Sequence, residues 1–134
     1  MASFGFYLDS GLTQPITGNV SVSEGSSDFR FYLGSTSSAV KLQDATNPGV
    51  DDMYVSIVDS APGSGPEVTW VKLALTQAGL ATAIAGDPLS IGNTLYGGTS
   101  FSLPFWVRIS NTLSGVASST ELSAKVTNVK EFSV

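Results

Sequence analysis

The 134-residue chain contains no cysteine and no histidine. The first absence excludes disulfides, thiolate chemistry and zinc–sulfur sites. The second removes the commonest general base and the commonest transition-metal ligand. Any catalysis would fall to carboxylates, Lys, Tyr or Ser, and a serine nucleophile has no His to activate it. Charge is scarce as well. Charged residues make 13% of the chain, against about 25% in ordinary soluble domains. Six basic residues stand against eleven acidic ones, for a net charge of -5. Nucleic-acid binding by phosphate neutralisation needs a basic face, which six scattered cations do not easily build. An anionic membrane is unattractive for the same reason. Long apolar runs are missing too: the longest, Ala78 to Gly86, is too short and too small-sided to span a bilayer. The first residues hold no basic region and reach Asp9 before any apolar stretch forms. We therefore read no export signal and expect the chain to be made and kept in the cytoplasm until it joins an assembly. Without such a signal the sequon Asn19-Val20-Ser21 carries little weight.

What remains is hydroxyl-rich and β-branched. Ser and Thr supply 33 of the 134 residues, so the polar surface is mainly hydroxyls. Residues 1–134 are one domain, long enough to bury about two thirds of the unfolded surface without staples. Alternation with period two dominates. Phe29, Phe31 and Leu33 share a face against Arg30 and Tyr32. Met53, Val55 and Ile57 oppose Tyr54, Ser56 and Val58. Val71, Leu73 and Leu75 oppose Trp70, Lys72 and Ala74. Phe105, Val107 and Ile109 oppose Trp106 and Arg108, and Leu122, Ala124 and Val126 oppose Glu121, Ser123, Lys125 and Thr127. Shorter alternating runs cover Phe4 to Asp9, Asn19 to Glu24 and Ala39 to Asp44. Turn signals separate them: Asp9-Ser10-Gly11, Asn47-Pro48-Gly49, Ala61 to Gly65, Gly86-Asp87-Pro88, Gly97-Gly98 and Asn111 to Gly115. Roughly seven to nine strands at this spacing predict an all-β fold, a two-sheet antiparallel β-sandwich of Ig-like or jelly-roll-like kind. The alanine-rich stretch Leu75 to Gly86 reads as a short strand or one helical turn, because Gly79 and Gly86 bracket it and Thr82 interrupts it.

Four segments invite a chemical reading. Asp44 to Asp52 is the best metal candidate, yet it offers only Asp44, Asp51 and Asp52, with Asn47 as a possible fourth group and no terminal Glu. Calcium needs six to eight oxygens, so a Pro-Gly turn before a strand is the better reading. The acids at strand ends, including Asp9, Asp28, Asp59 and Glu67, read as solvated caps rather than a glycosidase pair. The glycines around Gly97-Gly98 lack both a following helix and a phosphate-loop lysine. They fit a hairpin or bulge turn, with Pro104 marking an edge strand or bulge. Aromatic residues are the remaining candidates. Trp70 and Trp106 lie opposite the branched residues of their strands, and the N-terminal Phe4, Phe6 and Tyr7 would rarely stay exposed in a free monomer. Together with Tyr96 they form the set of partner-contact candidates, since Trp and Tyr are favoured interface anchors.

Four stretches carry a family likeness. They are "YLGS" (Tyr32 to Ser35), "NPGVDDMYVSIVDSAPGSG" (Asn47 to Gly65), "VKLALTQAGLATAIAGDPLSIGNTLYGG" (Val71 to Gly98) and "WVRISN" (Trp106 to Asn111). In these the chain resembles small virion structural proteins of tailed bacteriophages. The likeness is one of composition and spacing, and transfers no catalytic or binding residue. It implies a non-enzymatic capsid decoration or cement protein that stabilises the assembled head. The partners it implies are the major capsid protein and copies of the chain itself, as homodimer or homotrimer. The location would be the capsid surface, after assembly in the host cytoplasm. A tail, baseplate or fibre module that recognises a host surface is the alternative. No cofactor, metal, nucleic acid or membrane is expected.

Overall fold

Strands form where a branched or aromatic residue recurs at every second position. The computed structural model describes residues 3–16, 21–22, 25–59, 68–111, 117–118 and 122–134. The sequon at Asn19 and the Ala61 to Gly65 turn lie outside these residues, as does most of the Asn111 to Gly115 turn. The strands are β1 (Gly5–Tyr7), β2 (Ser21–Val22), β3 (Gly25–Gly34), β4 (Val40–Asp44), β5 (Tyr54–Asp59), β6 (Val71–Ala74), β7 (Leu89–Ser90), β8 (Leu95–Tyr96), β9 (Leu103–Asn111), β10 (Ala117–Ser118), β11 (Leu122–Val126) and β12 (Val129–Ser133). Seven of them have four residues or more. Every pairing among them is antiparallel. The fold is all-β and sandwich-like, as the alternation predicts.

One layer is the four-stranded sheet β1-β3-β9-β6. The other consists of two three-stranded sheets, β11-β5-β7 and β12-β4-β8. These two are one layer with a crease. β5 follows β4, β8 follows β7 and β12 follows β11, and each pair of successive strands holds the same place in the two sheets. The chain between successive strands is nine residues from β4 to β5, four from β7 to β8 and two from β11 to β12. Backbone hydrogen bonds stitch the crease: Ala45 N–H to the Asn128 carbonyl at 2.8 Å, Met53 N–H to Gly92 at 2.8 Å, and Ile91 N–H to Met53 at 2.9 Å. Asn128 and Gly92 bend the chain there in the left-handed region, at φ 55° and 85°. β2 and β10 pair separately.

The core lies between the layers. Leu33, Val71, Leu73, Phe105 and Val107 come from the four-stranded sheet, and Leu42, Met53, Val55, Ile91, Leu95 and Val126 from the creased layer. Phe105 is fully buried and meets Phe6 and Phe31 edge-on, at centroid distances of 5.8 and 6.2 Å. Pro104 pairs with Tyr32 on one side, while β6 reaches only as far as Trp106 on the other. The proline thus sits where β9 is locally an edge, because it has no N–H to give a ladder.

Three local readings change, and one open alternative is decided. Trp70 does not stand on the outer strand face: it lies in a 3-10 turn (Val68–Trp70) before β6 and enters the core. Leu75 lies past the end of β6 and is exposed. Of the two alternatives for the alanine-rich stretch, the structure has the helical turn, a 3-10 turn over Ala78–Ala81 that sets Leu80 fully buried outside the main core cluster. Gly97-Gly98 is not a hairpin turn. It carries the chain from β8 in the creased layer, through a 3-10 turn (Thr99–Phe101), to β9 in the other. Only Gly98 has positive φ, at 103°. Gly97 is required for a different reason, since a Cβ there would collide with the carbonyl oxygens of Ser37 and Val40.

Candidate functional site

The six aromatic candidates separate into two groups. Phe4 is 5% exposed and Trp70 9%, both within the core cluster, and Phe6 packs against Phe105. These three are consumed inside the chain, correcting the expectation that they await a partner. Burial between the layers is the physical reason: Phe6 pairs with Leu33 in register and so faces inward. Tyr7, Tyr96 and Trp106 face outward, on two different surfaces.

The first surface is the outer face of β1-β3-β9-β6. Cross-strand register places Tyr7 beside Tyr32, Arg30 beside Trp106, and Asp28 beside Arg108, which in turn pairs with Lys72. The Arg30 guanidinium carbon lies 5.2 Å from the Tyr32 ring centroid and 5.8 Å from that of Trp106, within cation–π range of both. Arg108 is occupied differently. Its Nε donates to Asp28 Oδ1 at 2.8 Å and its Nη2 to Oδ2 at 3.1 Å. The hydrogen bond from Arg108 holds the Asp28 carboxyl below its ordinary value, against partial desolvation, and Asp28 raises Arg108 in return. Gln77 Nε2 also donates to Asp28 at 3.3 Å, so the segment before the Ala78–Ala81 turn folds over this end of the sheet. Ala74, beside Trp106, is buried there.

The second surface is the outer face of β12-β4-β8. Phe132, Lys41 and Tyr96 stand in one row, with Lys130 and Gln43 in the next. Lys130 Nζ lies 5.8 Å from the Phe132 centroid. Tyr96 is 47% exposed and Phe101, at the sandwich rim, 57%; their centroids are 6.0 Å apart. Because both layers turn their branched residues toward the common core, the two surfaces lie on opposite sides of the molecule.

Asp44 to Asp52 lies at the crease. Asp44 is buried, and its carboxylate is fully engaged: Oδ2 accepts the Thr46 and Asn47 N–H groups at 2.9 and 2.8 Å, and Oδ1 accepts Asn128 Nδ2 at 3.0 Å. Asn47 Nδ2 donates to Asp51, and Ser90 Oγ to Asp52. Asp44, Asp51, Asp52, Tyr54, Thr127 and Asn128 line an open depression of about 410 Å³. Among the described residues no three His, Cys, Asp or Glu side chains converge as a metal-ligand set, and no helix is long and apolar enough to cross a membrane. The acidic stretch works as a turn that fixes the crease.

Sequence reading did not single out Arg30, Tyr32, Lys41, Phe101 or Phe132. The alternation places Arg30 and Tyr32 on the outer face of their strand. Their meeting with Trp106 depends on the β3–β9 register, a pairing of residues far apart in the chain. Comparison of the chain with protein-family models, with curated protein sequences and with solved structures finds no match in any of the three.

Proposed function

We propose that the protein is a non-enzymatic structural component that decorates an assembled phage head. It binds the major capsid protein through one aromatic-and-cation surface and keeps the opposite one for copies of itself. The observation that carries this reading is the placement of two such surfaces on opposite layers of one small sandwich. Trp, Tyr and Arg are the residue types that anchor interfaces, and a module with two opposed anchoring faces is built to bridge neighbours. The phage setting rests on the sequence resemblance, together with a composition poor in charge and free of Cys and His.

The role is mechanical. Binding energy from many copies adds to the contacts between capsid subunits, with no turnover. Quantifying the chain in purified virions by calibrated mass spectrometry tests the reading. A copy number in fixed proportion to the major capsid protein is expected. A few copies confined to the tail would instead mean a tail or fibre module, and absence from particles would remove the virion role.

A further inference from the structure

Arg30 differs from the other arginine of its face. Arg108 is neutralised by Asp28 through two hydrogen bonds, whereas Arg30 is exposed and has no carboxylate partner among the described residues. The rings of Tyr32 and Trp106 flank its guanidinium at cation–π distance. A guanidinium that meets only aromatic rings still has its N–H donors to offer, and their fork fits a carboxylate with two parallel hydrogen bonds.

Local charge points the same way. Among the described residues of this outer face, Arg30, Lys72 and Arg108 stand against Asp28 alone, and Asp28 is already committed to Arg108. The face is therefore cationic although the chain carries -5 overall. An apolar partner alone would leave Arg30 without a counter-charge at the centre of the contact, which is costly once water is excluded. A carboxylate flanked by apolar side chains satisfies both the guanidinium and the surrounding rings of Tyr7, Tyr32 and Trp106.

We infer that the outer face of β1-β3-β9-β6 is a receptor for an acidic peptide segment of the partner protein, with one carboxylate docked on Arg30 and its apolar neighbours on Trp106 and Tyr7. This rests on the proposed function only in taking that face as the one turned to a partner. The test is an NMR titration of the 15N-labelled full chain with a capped Leu-Glu-Leu-Glu peptide and, separately, its Leu-Gln-Leu-Gln counterpart. The Arg30 Nε–H and Trp106 indole N–H signals are expected to shift together and saturably with the Glu peptide. The Gln peptide should bind at least about tenfold more weakly, the loss of one charge-assisted pair. R30A should abolish the response and R30K should weaken it, both with an otherwise unchanged amide spectrum. Equal responses to the two peptides, shifts confined to the Lys41 and Lys130 face, no shift at all, or an undiminished response in R30A would each overturn the inference. Virion copy number reads the proposed function independently, so failure of one is distinguishable from failure of the other.

Discussion

Glu131 on β12 holds the segment that precedes β1: its Oε1 accepts the Ser3 N–H at 2.6 Å, the Ser3 hydroxyl at 2.7 Å and the Phe4 N–H at 3.1 Å. One carboxylate oxygen thereby sets where Phe4 enters the core. Replacement by Ala removes all three bonds, and Glu131→Ala should lower stability by about 1–2 kcal/mol. Glu131→Gln keeps an acceptor but loses the charge, and should cost less. Urea denaturation gives both values, and hydrogen exchange should accelerate first at β1.

Acid should lower stability through a small set of carboxylates. Hydrogen bonding from Thr13 lowers Asp9, and hydrogen bonding from Arg108 lowers Asp28, both from the ordinary 3.8. Burial pushes Glu131 up, but the bonds from Ser3 and Phe4 outweigh it and leave the group below 4.5. A carboxyl whose folded value is depressed stabilises fully above its unfolded value, and that contribution disappears as pH falls through the folded one. The contribution of these three groups to melting temperature is therefore flat from about pH 7 to 5 and falls below about pH 4. Asp28→Asn should fall less steeply over the same acid range. An equal slope in this variant would remove Asp28 from the account.

Gly97 and Gly92 provide a contrast between steric and conformational demand. A Cβ at Gly97 meets the fixed backbone oxygens of Ser37 and Val40, and Gly97 also donates its N–H to Val40 at 2.8 Å. Gly97→Ala should cost about 3 kcal/mol or prevent folding. Gly92 has positive φ but open space around it, so Gly92→Ala should cost only about 1–2 kcal/mol. Thermal melts of the two variants decide the ranking.

The two tryptophans should behave in opposite ways. Trp70 is in the core, and Trp70→Ala should lose about 3–5 kcal/mol. Trp106 is half-buried on the outer face, and Trp106→Ala should lose under about 1.5 kcal/mol. Chemical denaturation of each variant reads the difference, and comparable losses would place Trp106 in the core instead.

Much of this fold is legible in the residues, and the limits have a physical origin. Phe29-Phe31-Leu33, Met53-Val55-Ile57 and Phe105-Val107-Ile109 alternate strictly, so their inner faces follow from the period of two alone. The two-residue β7 and β8 escape it, because so few positions carry no period. β12 escapes for another reason: in Val129–Ser133 its inward Glu131 and outward Phe132 invert the usual polarity. Trp70 is misplaced because a 3-10 turn breaks the alternation one residue before β6 begins. Among the candidate aromatics, Trp106 is legible as outward from the alternation of its strand. Arg30 is not, because its role comes from the non-local pairing that sets it beside Trp106.

Binding of the purified chain to preassembled capsid shells, followed by co-sedimentation, tests the central claim most directly. The wild-type chain should saturate the shells at a fixed ratio to the capsid subunit. A Tyr7→Ala/Trp106→Ala double variant, melting close to wild type, should lose at least about tenfold in affinity. Saturable binding by the double variant at wild-type affinity, or no binding by the wild type, would contradict the account.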